Sequence, residues 1–201
     1  MTLVGGIHGG YVHRRRVRVL AARLAALVPP GSELLDVGCG DGLLSWRLAA
    51  ARPDLRVSGI DVKVRDGTPI PVSAFDGRSI PRPDRSSDVV LFVDVLHHTH
   101  DPEVLLREAC RVARRAIVIK DHLLTGALAG PTLRLMDWIG NARHGVDLPY
   151  NYWPPARWKA AFEALGLSLE AWSTDLGLYP WPADWVFGRS LHFVARLVPR
   201  G

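Results

Sequence analysis

Cysteine is nearly missing from this chain: Cys39 and Cys110 are the only two among 201 residues. Two thiols in so long a chain rule out a disulfide scaffold and suit a reducing compartment, so a cytoplasmic protein is expected. No Cys/His spacing typical of a zinc site occurs. Long apolar runs are missing too. A membrane span needs about 20 apolar residues in succession. The uncharged stretch His122 to Leu133 is far shorter and is interrupted by Gly126, Gly130 and Pro131. Lysine is scarce, since three of the 25 basic residues are Lys (Lys63, Lys120, Lys159) and the other 22 are Arg. Acid is absent from residues 1–32, which hold five Arg, including Arg14-Arg15-Arg16 and Arg18. That composition imitates an organelle transit peptide or a nucleic-acid patch. However, Val17, Leu20, Leu24, Leu27 and Val28 recur at helical spacing. A structural amphipathic helix over 12–28 with a solvated Arg face is therefore expected.

What is present fits one globular domain over 1–201. Apolar residues make up 48% and charged residues 22% of the chain, and no repeat or low-complexity tract interrupts it. Apolar strands alternate with amphipathic helices, the pattern of an α/β sheet. Strands are predicted at Glu33 to Val37, Leu55 to Ile60, Pro71 to Phe75, Asp88 to Val93 and Ala116 to Ile119. Helices are predicted from Leu43 to Ala51 and from Asp101 to Arg114, the second opened by an Asp cap and Pro102. The texture changes after that. Residues 121–155 show no strand pattern, and six of seven Trp fall between Trp138 and Trp185. A helix from Pro154 to Leu165 and strands at Ser168 to Thr174 and Leu191 to Val198 complete the reading.

The most informative stretch is Asp36-Val37-Gly38-Cys39-Gly40-Asp41-Gly42, in which a strand ends in Asp-x-Gly-x-Gly-x-Gly and a helix begins. Glycines at such a turn let the backbone approach a ligand, and the acid can take an ammonium or hydroxyl group. Asp61, 23 residues beyond Gly38, ends the second strand and is placed to accept hydrogen bonds from both ribose hydroxyls of a nucleoside. A dinucleotide fingerprint would place its third Gly three positions after the second and leave the helix start free for pyrophosphate. Here Gly42 follows Gly40 by two, and Asp41 brings a negative charge. A positively charged ligand without phosphate fits better.

These residues resemble the class I S-adenosylmethionine-dependent methyltransferases, in particular the methyltransferase type 11 group, over residues 12–122 and more loosely beyond. The resemblance implies a Rossmann-like, seven-stranded, mostly parallel sheet with helices on both faces and an antiparallel last strand. Residues 32–122 would form a cofactor-binding half, and 123–201 an acceptor-side half with an aromatic-rich insert. It implies S-adenosyl-L-methionine as cofactor, held by Asp36, Gly38, Cys39, Gly40, Asp41 and Gly42, by Asp61 and Val62 at the ribose, and by Asp76 and Gly77 at the adenine. Phe75-Asp76-Gly77 through Ile80-Pro81 matches the family's adenine stretch. Asp94-Val95-Leu96-His97-His98 with Leu105-Leu106-Arg107-Glu108 matches its signature after strand four, and Asp94 is assigned there. Arg114-Arg115-Ala116 departs from the Pro-Gly-Gly often found before strand five.

The acceptor side is read from the residues alone. Methyl transfer is an in-line displacement that needs alignment, and a base only where the acceptor must lose a proton. The crevice lies beyond the strands' carboxyl ends. It offers Asp94, His97, His98 and His100 after strand four, and Lys120, Asp121 and His122 after strand five. His122 and His98 are the candidate catalytic residues, His122 as the base. The three clustered His lack a Cys or carboxylate at ligand spacing, so no metal is expected. His144, Tyr150, Tyr152 and Trp153 in the polar, aromatic insert are candidate acceptor contacts on a lid, with a buried aromatic cluster as the alternative. The expected function is methyl transfer to a small molecule at O, N or C. The alternatives are a non-methylating S-adenosylmethionine binder and a methyltransferase of RNA or protein. Nucleic acid is the less favoured partner, since no basic groove with interleaved aromatics emerges, and the oligomeric state stays open.

Overall fold

The computed structural model describes residues 15–141, 149–188 and 190–200. Seven strands form one sheet: β1 (Glu33–Val37), β2 (Arg56–Asp61), β3 (Val72–Ala74), β4 (Ser87–Val93), β5 (Ala113–His122), β6 (Leu167–Ser173) and β7 (His192–Pro199). Their order is β3-β2-β1-β4-β5-β7-β6. The first five are parallel to one another, and β7 runs antiparallel to both β5 and β6. Six helices accompany them: α1 (15–25), α2 (Leu43–Ala51), α3 (Pro102–Val112), α4 (Ala129–Asn141), α5 (Pro155–Ala164) and α6 (Ala183–Phe187).

The period of two along each central strand divides the core into two layers. Val89 and Leu91 of β4 and Ala116 and Val118 of β5 face Leu20 and Leu24 of α1 and Leu48 of α2. Val90, Phe92, Ile117 and Ile119 face Leu105, Leu106 and Ala109 of α3 and Trp158 and Phe162 of α5. Helices therefore cover both faces, as the Rossmann-like reading requires. Asp101 caps α3 by accepting from the Glu103 backbone N–H at 3.1 Å.

α3 ends at Val112 where the sequence predicts Arg114, and β5 begins at Ala113 where it predicts Ala116; two further differences bear on the site. β5 does not stop at Ile119 but carries Lys120, Asp121 and His122 into the ladder, opposite Val194, Phe193 and His192. An antiparallel partner supplies their backbone bonds, and the Lys120 and Asp121 side chains find charged partners described below. The stretch after β5, which shows no strand pattern, contains α4. Its Gly130-Pro131 start disguises a helix, although Pro is well tolerated in a first turn.

Candidate functional site

The β1–α2 turn is built by its glycines. Gly38, Gly40 and Gly42 have φ of 74°, 60° and 72°, a region that L side chains rarely adopt. A Cβ on Gly38 would sit 2.6 Å from a Val95 methyl, so this turn and the segment after β4 approach as closely as backbone permits. Gly38, Asp61, Val62, Gly77 and His98 line one cavity of 470 Å³, together with the apolar Phe75, Val95 and Leu105. That volume is ordinary for a small-molecule site. Four sequence stretches far apart in the chain thus converge there.

Asp61 is held by its own loop. One carboxylate oxygen accepts from the Gly40 N–H at 2.7 Å and the other from the Lys63 N–H at 2.9 Å. Each oxygen retains lone-pair capacity for a hydroxyl. Asp76 does the same for the loop beside Gly77, accepting from the Arg78 and Ser79 N–H groups at 2.8 and 2.7 Å. These bonds hold its carboxyl below the ordinary range. Asp36, two residues before Gly38, is buried; one oxygen accepts from the Ser45 hydroxyl at 2.6 Å, and the other has no hydrogen-bond partner among the described residues. Burial pushes its pKa up to about 7, with the Asp61 charge adding to the shift and Ser45 opposing it. An orphaned buried carboxylate oxygen is what an ammonium group would satisfy, so these residues fit the amino-acid end of S-adenosylmethionine.

The other turn residues act indirectly. Asp41 accepts from the Leu43 N–H at 3.0 Å and starts α2. Cys39 packs on Gly59, where a Cβ would fall 2.5 Å from its sulfur. Burial raises the Cys39 thiol to about 12, so it stays protonated.

The Asp94 carboxylate pairs with Lys120 of β5 and Arg16 of α1, and like Asp36 and Asp76 it lies behind the residues that line the cavity. Burial opposes ionisation, but the two cations outweigh it and hold the carboxyl well below its usual range. Lys120 is fully buried, with His192 Nδ1 3.3 Å from its ammonium. Arg16, expected on a solvated face, reaches inward instead.

A second set of charges lies alongside. His97 Nδ1 donates to Asp121 at 2.6 Å, and its Nε2 stands 3.4 Å from Asp137 of α4. Burial favours the neutral ring, yet the two carboxylates prevail and raise its pKa to about 10. His97 is thus an imidazolium clamped between acids. Tyr152 donates to the same Asp137. His122 is 3% exposed, and its Nδ1 is 3.2 Å from that of His97. Burial, then the charges of His97 and Lys120, hold it neutral far below its ordinary range.

The predicted base therefore sits inside a closed network. His98 lies on the cavity wall together with His100, and the His98 Nδ1 has no hydrogen-bond partner among the described residues. Burial and the neighbouring His97 charge lower its pKa.

Asp94, His97, Asp121 and His122, and likewise His97, His98 and Asp137, bring potential ligand atoms within 4.8 Å of one another. The carboxylates missing from the linear His cluster are therefore present in space. These carboxylates already have cationic partners in the chain: Asp94 meets Arg16 and Lys120, and His97 meets Asp121 and Asp137.

The insert has a mixed fate. Tyr150 and Tyr152 line a second cavity of 530 Å³ with Leu124, Gly130, Pro131 and Arg134. The Asn151 N–H donates to His97 O at 3.2 Å, tying the segment to the turn after β4. Trp153 is turned into the core and not toward an acceptor: it is 1% exposed, with its ring tilted against that of Trp158 and the centres 4.8 Å apart. His144 lies outside the described residues. Arg16, Asp137 and His192 were missed. A lone acid among the apolar residues Leu135 to Ile139 is the available signal for Asp137.

A sequence profile described as a methyltransferase domain matches residues 11–171. The chain is 34% identical over 128 residues to 27-O-demethylrifamycin SV methyltransferase of Amycolatopsis mediterranei, covering 55% of this chain and 47% of the relative. It is 37% identical over 152 residues to an uncharacterized methyltransferase of Mycobacterium tuberculosis, covering 67% of this chain and 76% of the relative. The chain spans about half the length of several curated relatives. Among solved structures, a putative methyltransferase in complex with the Trm112 activator of Haloferax volcanii superposes with a TM-score of 0.68 at 19% identity, covering 95% of each chain.

Proposed function

The chain belongs to the methyltransferase-domain family, and on that premise we propose that it binds S-adenosylmethionine in the 470 Å³ cavity and methylates a small-molecule acceptor. The observation that carries this reading is the convergence of Gly38, Asp61, Gly77 and His98 on that one cavity. Asp36 takes the ammonium with its unpartnered oxygen. Asp61 accepts from the ribose hydroxyls, and the Asp76–Gly77 loop meets the adenine edge. Val62, Phe75, Val95 and Leu105 supply apolar walls that exclude water. When bound, the cofactor supplies an electrophilic methyl group on a sulfonium.

The chain's own contribution is alignment. His98, neutral and on the wall, accepts the proton of an O–H or N–H acceptor. Tyr150 and Tyr152 border the acceptor's side. The ion pairs around Asp94 and His97 brace the ends of β4 and β5 beneath both. Rifamycin, hydroquinone and alkaloid methyltransferases among the relatives support a small molecule as the acceptor.

Calorimetry with S-adenosylmethionine and S-adenosylhomocysteine, with NADH as control, tests the reading. One-site binding of the sulfonium compound and its product, without NADH binding, is expected. Asp61→Ala should weaken both by about 1.5–3 kcal/mol through loss of a charged acceptor. Formation of S-adenosylhomocysteine with an acceptor panel separates methyl transfer from mere binding. A folded protein that binds neither compound overturns the proposal.

A further inference from the structure

Helix α4 is apolar on the side it buries and again on the side it exposes. Ala129 and Leu133 pack inward, whereas Leu128, Leu135, Trp138 and Ile139 are 63%, 48%, 60% and 62% exposed. With Pro131, these outward residues fall at helical spacing along one stripe. α6 lies beside α4 and adds Trp185 and Val186, and Trp181 stands just before it; Trp181 is 87% exposed. Among the described residues from 124 to 139 and 181 to 187, Arg134 is the only exposed charge. Asp137 is turned inward to His97 and Tyr152, and Asp184 is partly buried. Contiguous exposed apolar surface of this kind marks a binding face.

We propose that the α4–α6 face docks on the surface of an anionic lipid bilayer. Three exposed indoles on two neighbouring elements suit the headgroup boundary, where an amphipathic ring has one apolar and one wet side. The chain's formal charge of +5 and the acid-free residues 1–32 favour an anionic leaflet. Arg134 decides against a second copy. A two-fold interface through this face would bury Arg134 with no exposed described acid of the face to meet it. A lipid phosphate meets it directly. No described helix is long and apolar enough to cross a membrane, so the contact is superficial.

Docking deepens the proposed methyl transfer, on which the following step rests. The mouth of the 530 Å³ cavity is formed by exposed Leu124, Pro131 and Arg134, and Tyr150 and Tyr152 line it. Seated on lipid, this mouth opens toward the acyl layer. The acceptor class is an amphiphile, its polar head toward Tyr152 and its apolar part in the bilayer.

The test uses the full chain without cofactor or acceptor, so that it succeeds or fails independently of methyl transfer. Sedimentation with vesicles of phosphatidylglycerol and phosphatidylcholine, compared with phosphatidylcholine alone, is combined with tryptophan quenching by brominated lipid. Binding to the anionic vesicles with quenching is expected. The combined Trp138→Ala, Trp181→Ala and Trp185→Ala variant should lose at least tenfold in binding, while Trp46→Ala on α2 should not. All four positions are exposed, and unchanged circular dichroism checks folding. Three outcomes overturn the proposal. One is no sedimentation with either vesicle. Another is full binding by the triple variant, which would assign the contact to the Arg-rich helix. The third is a dimer in light scattering that the triple variant dissolves, which would assign the face to a second copy.

Discussion

If the unpartnered oxygen of Asp36 receives the cofactor's ammonium, cofactor affinity must follow the ionisation of that carboxyl. In the free protein its pKa is about 7, raised first by burial and further by Asp61. A carboxyl raised in this way is protonated below pH 7, and a protonated carboxyl offers an ammonium far less than a carboxylate does. The ionised fraction is about 0.76 at pH 7.5 and about 0.09 at pH 6, given a pKa near 7. S-adenosylmethionine should therefore bind about eightfold more weakly at pH 6, a difference of about 1.3 kcal/mol. Titration calorimetry at both pH values, in two buffers of different ionisation enthalpy, measures the affinity and the proton released on binding. Asp36→Asn should bind weakly at both pH values and release no proton. A dissociation constant unchanged between pH 7.5 and 6, or the same slope in Asp36→Asn, refutes the reasoning. The same shift has a consequence for stability. Because the folded pKa lies above the unfolded one, Asp36 works against folding as pH rises from about 4 to 7, and the ligand's ammonium reverses that.

Asp94→Ala leaves the fully buried Lys120 without its carboxylate and should destabilise the fold by about 3–5 kcal/mol, as removing one partner of a buried pair does. Urea unfolding measures this, and a loss under about 1 kcal/mol would mean that Lys120 is not held as an ammonium. His98→Ala should lower kcat by about 10²–10⁴-fold with an acceptor that must lose a proton. His122→Ala should instead lower the unfolding midpoint and leave the pH profile of the folded enzyme intact. The reverse pattern in pH-rate profiles would return the base to His122.

How much of this was legible in the sequence depends on the range of the interactions involved. β1, α2 and the turn between them are visible because glycines at special dihedrals and an apolar run leave local marks. The end of β5 is not, because Lys120, Asp121 and His122 look like a crevice loop until His192 and Phe193 are known to pair with them. The burial of Trp153 is invisible to composition, since aromatic content does not say which way a ring faces. The clamp on His97 is hidden for another reason. Asp121 and Asp137 lie 24 and 40 positions away, and no motif spacing links them. Arg16 shows the same limit: helical periodicity placed it on the polar face, correctly, but that face turns toward Asp94 at one end.

The position of β7 has a consequence for synthesis. This strand, which follows β5 and β6 in sequence, lies between them in the sheet. Until it leaves the ribosome, β5 is a bare edge and β6 has no partner among the described strands. The edge carries Lys120 and His122, whose side chains meet His192 only once β7 has paired. The amino-terminal strands can pair as they emerge, but the acceptor side must wait for residues near 199. Nascent chains halted before His192 should therefore present a sticky parallel sheet to chaperones, with the β1–α2 turn already shaped and the chemistry beyond it unfinished.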